Sequence, residues 1–195
     1  GQQWVLRSIN KDVEKVVPPE LRGTFIQSLF QDGIAAAHPY GAFVIPVLAE
    51  AAGIYHANPK AVYLPHQKAL GHYDKTFAER LYLFEERPGG NTSEFKDYDY
   101  TEKTVNTLDL LEKLTKSHKH VIDQKAVWRA RLFDVLIGDW DRHDDQWRWA
   151  SFEDGDKTIY RPVPRDRDQV FFKNDGLLDY ISSRPFIAPG LRKFE

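Results

Sequence analysis

Cysteine and methionine are both absent from this 195-residue chain. Without cysteine the chain has no disulfide framework and no thiolate zinc site, so cysteine usage leaves the redox compartment open. No apolar run approaches the roughly 18–20 residues that a membrane-spanning helix needs. The net charge of −2 excludes a strong overall attraction to nucleic acids or anionic membranes. We therefore expect no nucleic-acid partner and no direct membrane insertion by this segment.

The missing methionine includes position 1, where the chain has Gly1. We therefore expect the chain to be an internal part of a longer gene product, truncated at its N-terminus. The residues that are present include a hydrophobic share of 42% and an aromatic share of 13%, which together predict a folded domain and argue against disorder. A chain of this length can bury a sizeable core.

The order of the sequence patterns predicts an α+β fold. Alternating or β-branched runs predict strands at 3–9, 60–65, 79–86, 148–152 and 158–163, with a hairpin at Asp154-Gly155. Helical spacing predicts helices at 20–37, 42–52, 108–117 and 123–137; Gly53 would end the second, and Asp123 would cap the last. Residues 67–74 are interpreted as a loop. Residues 89–106 form a polar linker or flap between an N-terminal part, 1–88, and a C-terminal part, 107–195.

The chain is organised around residues 137–149, which read IGDWDRHDDQWRW. This stretch contains four carboxylates, and the sequence RDRD at 165–168 follows after the predicted hairpin. A helix, a turn and two strands would bring both acidic clusters to one place. The four carboxylates of the first cluster are Asp139, Asp141, Asp144 and Asp145.

Carboxylates so close in sequence repel one another unless cations neutralise them. A metal or ligand site would do this, because Mg²⁺ prefers oxygen ligands. A structural salt-bridge network built by nearby arginines would do it equally well, and both alternatives stay open. The arginines available for such a network are Arg142, Arg148, Arg165 and Arg167.

The sequence DRHDDQ at 141–146 is similar to the catalytic loop of atypical protein-kinase-like proteins, the lipid-kinase and HipA-like families. The resemblance implies that Asp141 is the catalytic aspartate and that Arg142 and His143 fix the loop. Gln146 stands where the family has its metal-binding asparagine. Asp166, together with Asp168, would match the strand-borne aspartate that holds the metal.

The resemblance extends upstream. Residues 4–7 resemble the strand that carries the phosphate-binding cation, a position taken here by Arg7, with Lys11 as the alternative. Glu50 would pair with that cation, and residues 81–88, with Glu86, resemble the edge strand and hinge beside the adenine. The resemblance implies a small N-terminal sheet-and-helix part, a larger mostly helical lobe with a catalytic hairpin, and ATP with Mg²⁺ or Mn²⁺ as cofactors. It implies an ATP- and magnesium-dependent phosphotransferase whose acceptor the sequence does not identify.

Three departures favour an alternative, a non-catalytic pseudokinase-like binding module. Arg7 replaces lysine, Gln146 replaces asparagine, and no glycine-rich loop precedes Trp4. A metal-dependent phosphoesterase is disfavoured, because the histidines lack a metal-ligand spacing.

Several phrases, among them RARLFDVLIGDWDRHDDQWRW and PVPRDRDQVFF, also resemble a segment of large bacterial cell-envelope proteins. In those proteins the segment lies between a metallophosphoesterase domain and a surface-antigen β-barrel. This second resemblance implies a periplasmic or outer-membrane location; otherwise a cytoplasmic location is expected. The tryptophans of this region are predicted to pack in the core: Trp128, Trp140, Trp147 and Trp149.

Overall fold

The computed structural model describes residues 2–9, 38, 40–89 and 91–172. Within these ranges the protein has an α+β fold with four α-helices and two sheets, which confirms the predicted class. The predicted helix at 20–37, the cation Lys11 and the tail from residue 176 lie outside the described residues.

The first sheet has three antiparallel strands in the order β1-β3-β2. Strand β1 is Gln3–Ser8, β2 is Lys60–Leu64 and β3 is Arg80–Arg87, so the three predicted strands are confirmed. The central strand β3 contributes the buried side chains of Tyr82, Leu83 and Glu85.

The second sheet has the order β4-β6-β7-β5. Strands β6 (Trp147–Asp154) and β7 (Lys157–Pro164) form the predicted hairpin, and each is longer than the pattern indicated. The turn is tight because Gly155 adopts a positive φ of 63°. The short strand β4 (Thr104–Val105) pairs antiparallel with β6, whereas β5 (His120–Ile122) pairs parallel with β7.

The four helices are α1 (Ile45–Ala51), α2 (Asp74–Phe77), α3 (Thr107–Lys116) and α4 (Gln124–Leu136). The predicted cap is confirmed, because the carboxylate of Asp123 accepts a hydrogen bond from the Ala126 amide at 3.0 Å. The predicted stop after α1 is also confirmed, since Gly53 follows it with a φ of 65°. Helices α1, α3 and α4 all have local start or stop signals in the sequence.

The predicted loop at 67–74 is wrong. A 3-10 helix, Lys68–Tyr73, fills this stretch and leads into α2. The Asp74 carboxylate accepts hydrogen bonds from the Gln67 amide at 2.9 Å and from the His66 ring at 2.6 Å, which closes the turn. The segment predicted as a linker or flap is 89–106, and its described residues include a 3-10 helix (Lys96–Tyr98), strand β4 and the buried Thr92. Their mobility stays a prediction.

The main core lies between α1, α3, α4 and the second sheet. Trp147 and Trp149 are buried in it, as predicted. The prediction is wrong for Trp128 and Trp140, which are 68% and 64% exposed. Helix α4 turns Ala130 and Phe133 inwards, so Trp128 lies on its outer face. Among the described residues, no helix has both the length and the apolar character needed to cross a bilayer.

Candidate functional site

A buried ion-pair network lies where α4 meets the central loop. We call it the Asp134 network; it consists of Asp134, Asp139, Arg131, Arg142 and Arg167. Asp134, on α4, is 1% exposed and accepts hydrogen bonds from Arg131 at 2.7 Å and from Arg142 at 3.1 Å. Arg167 reaches it from the second acidic cluster and also donates to Asp139 at 2.8 Å. Arg142 completes the network with a hydrogen bond to Asp139.

Of the four carboxylates in the central acidic stretch, the network contains only Asp139. Asp139 is neutralised by Arg142 and Arg167, two of the four arginines predicted for a salt-bridge network. Burial raises the pKa of the Asp139 carboxyl, and the two guanidiniums oppose that shift. Sequence reasoning missed Asp134, the acidic centre of the network. The available signal was an aspartate beside Phe133 on an otherwise apolar helical face.

Arg142 connects this network to the rest of the site. Its side chain is almost fully buried, and it donates to the carbonyl oxygen of Arg165 and, at 3.2 Å, to the side-chain oxygen of Gln146. Its guanidinium also lies over the Trp147 ring, 5.3 Å from the centroid. Arg142 thus holds the central loop against the segment that follows β7. The resemblance implies a loop-fixing role for this residue.

Asp141 and Gln146, two of the predicted site residues, lie together in the central loop. The Gln146 side-chain nitrogen donates to Asp141 at 3.2 Å, and the Gln146 backbone oxygen accepts from the Arg165 amide at 2.9 Å. The amide orientation of Gln146 is fixed, because Arg142 can only donate and an ionised Asp141 can only accept. The Gln146 side-chain oxygen therefore faces a guanidinium. It fits a metal only after it leaves Arg142.

The predicted phosphate-binding cation Arg7 meets the predicted metal aspartate directly. Arg7 donates to Asp166 at 2.6 Å and to Glu85 at 3.0 Å. Glu50, predicted as its partner, is exposed on α1 instead. Glu85 takes that place because Arg7 lies opposite Leu83 in the sheet, so Glu85 is its diagonal neighbour on the same face. Asp168 is half-buried and adds a further attractive charge to the surroundings of Arg7.

A cleft that is open to solvent lies between the first sheet and residues 164–167. Both Glu85 and Glu86 line it, and the carboxylate of Glu86 accepts a hydrogen bond from the Asn58 amide at 2.7 Å. The cleft therefore brings together predicted cofactor and metal residues from distant parts of the sequence. The polar residues that line it include Arg7, Glu85, Glu86, Tyr98, Arg165 and Asp166.

His143 lies away from these contacts, with Asp144 and Asp145, in an exposed group whose potential ligand atoms are within 4.8 Å of one another. Such exposed acidic groups are common in proteins without a metal, and this one does not distinguish a function. The structure thus brings Arg7, Gln146, Asp141 and Asp166 into one connected region, but places His143 at the surface.

No family model, curated protein or solved structure matches this chain. The two resemblances drawn from the sequence therefore stay predictions. The roles of the site residues rest on their geometry in this protein.

Proposed function

We propose that the cleft binds a nucleotide with a divalent cation and that the protein is a kinase-like phosphotransferase. The observation that supports this is the contact between Arg7 of β1 and Asp166. Asp166 directly follows Arg165, whose backbone amide donates a hydrogen bond to the backbone oxygen of Gln146. The predicted phosphate-binding and metal-binding groups come from opposite ends of the described chain. Gln146 also donates a hydrogen bond to Asp141, so the predicted catalytic aspartate lies in the same region. An ion pair with a purely structural role would not require this.

In this proposal, each group has one task. Asp166 and Asp168 would hold the metal, and Gln146 would join them after leaving Arg142. The bound cation would neutralise charge on the transferred phosphoryl group. Arg7 would hold phosphate oxygens, for which its planar guanidinium is suited. Asp141 would orient the acceptor hydroxyl and take its proton.

The Arg7–Asp166 ion pair sets a condition on binding. A cation at Asp166 is repelled by Arg7, and a phosphate at Arg7 is repelled by Asp166. With a metal–nucleotide complex bound, Arg7 would hold phosphate in place of the carboxylate, and Asp166 would hold the metal in place of the guanidinium. Metal and nucleotide should therefore bind together much more strongly than either binds alone.

A second candidate is a non-catalytic binding module. The specific observation in its favour is that Asp166 and Gln146 both face guanidiniums, from Arg7 and Arg142 respectively. If these contacts persist when ligand binds, an anion would bind without a metal and no phosphoryl transfer would follow.

Thermal unfolding with ATP, ADP or AMP, each with and without Mg²⁺ or Mn²⁺, separates the two candidates. A ligand present at 100 times its dissociation constant stabilises the native state by about 2.7 kcal/mol, which raises Tm by several degrees. We expect this shift with ATP and metal together, and we expect Asp166→Ala to lose it. Asp144→Ala removes an exposed carboxylate of the central loop and is the control.

A shift of equal size with and without metal would favour the binding module, and a full shift in Asp166→Ala would contradict the metal assignment. ATP turnover tests the chemical step. Asp141→Asn should lose turnover but keep the nucleotide-dependent shift. If wild-type protein binds the metal–nucleotide complex without turning it over in the presence of any acceptor tested, the binding module is the better assignment.

A further inference from the structure

Three arginines in and beside the cleft form a second charged group, which we call the arginine cluster: Arg87, Arg148 and Arg165. Arg87 ends β3, Arg148 lies on β6, and Arg165 follows β7. Arg148 lies opposite Val163 in the sheet, so their side chains are on the same face. Arg165 comes two residues after Val163, and extended backbone therefore places it on the same face as Arg148. Arg87 and Arg165 line the cleft.

The arginines of the cluster differ from those of the Asp134 network in their direct contacts with carboxylates. Within the described ranges, none of its three guanidiniums forms an ion pair with a carboxylate. Arg148 donates instead to the carbonyl oxygens of Trp147 at 2.8 Å and Asp145 at 3.3 Å. Because guanidinium stays protonated near neutral pH, the cluster keeps positive charge that no direct ion pair neutralises, partly buried at Arg148 and Arg165 and exposed at Arg87.

Two buried donors at the cleft also lack a hydrogen-bond partner in the described part of the chain. They are the Tyr98 hydroxyl and one terminal nitrogen, Nη2, of Arg167. Tyr98 is 1% exposed, and burial raises the pKa of its hydroxyl, which therefore stays protonated. Buried donors without partners cost free energy, and a ligand oxygen would recover it.

We propose that this part of the cleft is a binding site for a phosphate group, free or carried by a small ligand. Arg87 and Arg165 bind its oxygens, Arg148 adds positive charge, and the two unpartnered donors supply further hydrogen bonds. A phosphate monoester carries a charge of about −1.5 to −2 at pH 7. It therefore compensates the charge of three cations better than one carboxylate, with its single negative charge, would. Its oxygens also suit the paired donors of guanidinium. The site needs neither a metal nor Asp141, so it does not rest on the proposed phosphotransferase activity.

The test is a titration of the whole chain with inorganic phosphate in the presence of a chelator, followed by calorimetry and thermal unfolding. Sodium chloride keeps the ionic strength constant, and only a saturable response counts as binding, because phosphate also stabilises proteins non-specifically at high concentration. We expect saturable binding by wild type and at least a tenfold loss of affinity in Arg165→Gln and Arg87→Gln. Arg80→Gln is the matched control, since it removes an equally exposed positive charge from the other end of β3, which does not line the cleft.

A sugar monophosphate and pyrophosphate, tested in the same way, distinguish free phosphate from a phosphate carried by a ligand. Without phosphate and at low salt, Arg165→Gln should melt no lower than wild type, because the substitution removes repulsion. A lower Tm under those conditions would show that Arg165 already has a stabilising counter-charge, which would overturn the proposal. Non-saturable phosphate effects, or equal affinity in Arg165→Gln and wild type, would also overturn it.

Discussion

Arginine occurs in this protein in two electrostatic situations that lie a few residues apart. Arg142 and Arg167 are buried against Asp134 and Asp139, where charge is nearly balanced. Arg165 is half-buried beside other arginines. The paired arginines are suited to hold the central loop, whereas Arg165 is suited to receive an anion. Residue type alone does not separate these roles, because the carboxylate partners come from other elements.

Asp134→Asn tests the first situation. The substitution keeps the shape of the side chain but removes the negative charge on which three guanidiniums converge. Removing one partner of a buried ion pair typically costs about 3–5 kcal/mol, because the opposite charge is left uncompensated. We expect a loss of that size in the free energy of unfolding, measured by urea denaturation.

Asp144→Asn provides the comparison for Asp134→Asn. Asp144 is exposed, and substitutions of that kind usually change stability by no more than about 0.5 kcal/mol. If Asp134→Asn cost less than about 1 kcal/mol, the arginines would have other counter-charges and the network would not centre on Asp134.

At the scale of elements, helix α4 connects the second sheet to the candidate site. At its start, Asp123 caps the Ala126 amide and also pairs with Arg161 of β7 at 3.4 Å. At its end, the chain turns at Gly138 and enters the central loop. The position of Asp139 in the network therefore depends on the end of this helix.

Asp123→Ala should lower the free energy of unfolding by about 1–2 kcal/mol, since a helix cap and a partly exposed ion pair are lost together. Asp123→Asn keeps a good cap and loses only the ion pair, so its cost should be below about 1 kcal/mol. Urea denaturation of both variants measures the difference. Equal losses in the two variants would assign the effect to the ion pair and not to the cap.

Local sequence signals predicted most elements but few of their contacts. Asp123, Gly53 and Asp154-Gly155 mark helix and hairpin boundaries, because caps and turns are decided within a few residues. The turn closed by Asp74 was missed, since Asp74 bonds to residues seven and eight positions earlier. Trp128 was misplaced because a tryptophan on a helix does not itself identify the buried face.

In the candidate site, too, local patterns predicted what is close in sequence and not the contacts between distant residues. The sequence placed Asp141, Gln146 and Asp166 in one region, because a short helix, loop and hairpin connect them. It did not identify Glu85 or Asp134 as partners of the arginines. Glu85 pairs with Arg7 across 78 residues, and Asp134 with Arg167 across 33. Such pairings depend on strand register and on packing between elements, which no local pattern records.

At the scale of the whole molecule, the cleft is where the first sheet meets the segment after the hairpin. Arg7 makes this connection, with Glu85 on its own sheet and Asp166 on the other side. Glu85 is 8% exposed, so its carboxylate has lost most of its hydration. Whether the charged pair stabilises the fold depends on the balance between that lost hydration and the attraction of Arg7.

The pH dependence of stability measures this balance. Burial raises the pKa of Glu85 above the ordinary glutamate value of 4.5, and Arg7 only partly opposes the shift. The native state therefore holds this proton more tightly than the unfolded state. The resulting contribution to stability is complete below pH 4.5 and is lost as the pH rises through the folded pKa.

We expect the stability of wild type, relative to Glu85→Gln, to decrease between pH 4 and pH 7 in urea denaturation. Glu112→Gln is a control with the opposite sign, because a hydrogen bond from Lys116 lowers the pKa of Glu112. Relative to that variant, wild type should gain stability over the same interval. If wild type also gained stability relative to Glu85→Gln, the attraction of Arg7 would outweigh burial. The Arg7 pairs would then hold the cleft in its ligand-free arrangement, and a metal–nucleotide complex would have to overcome both.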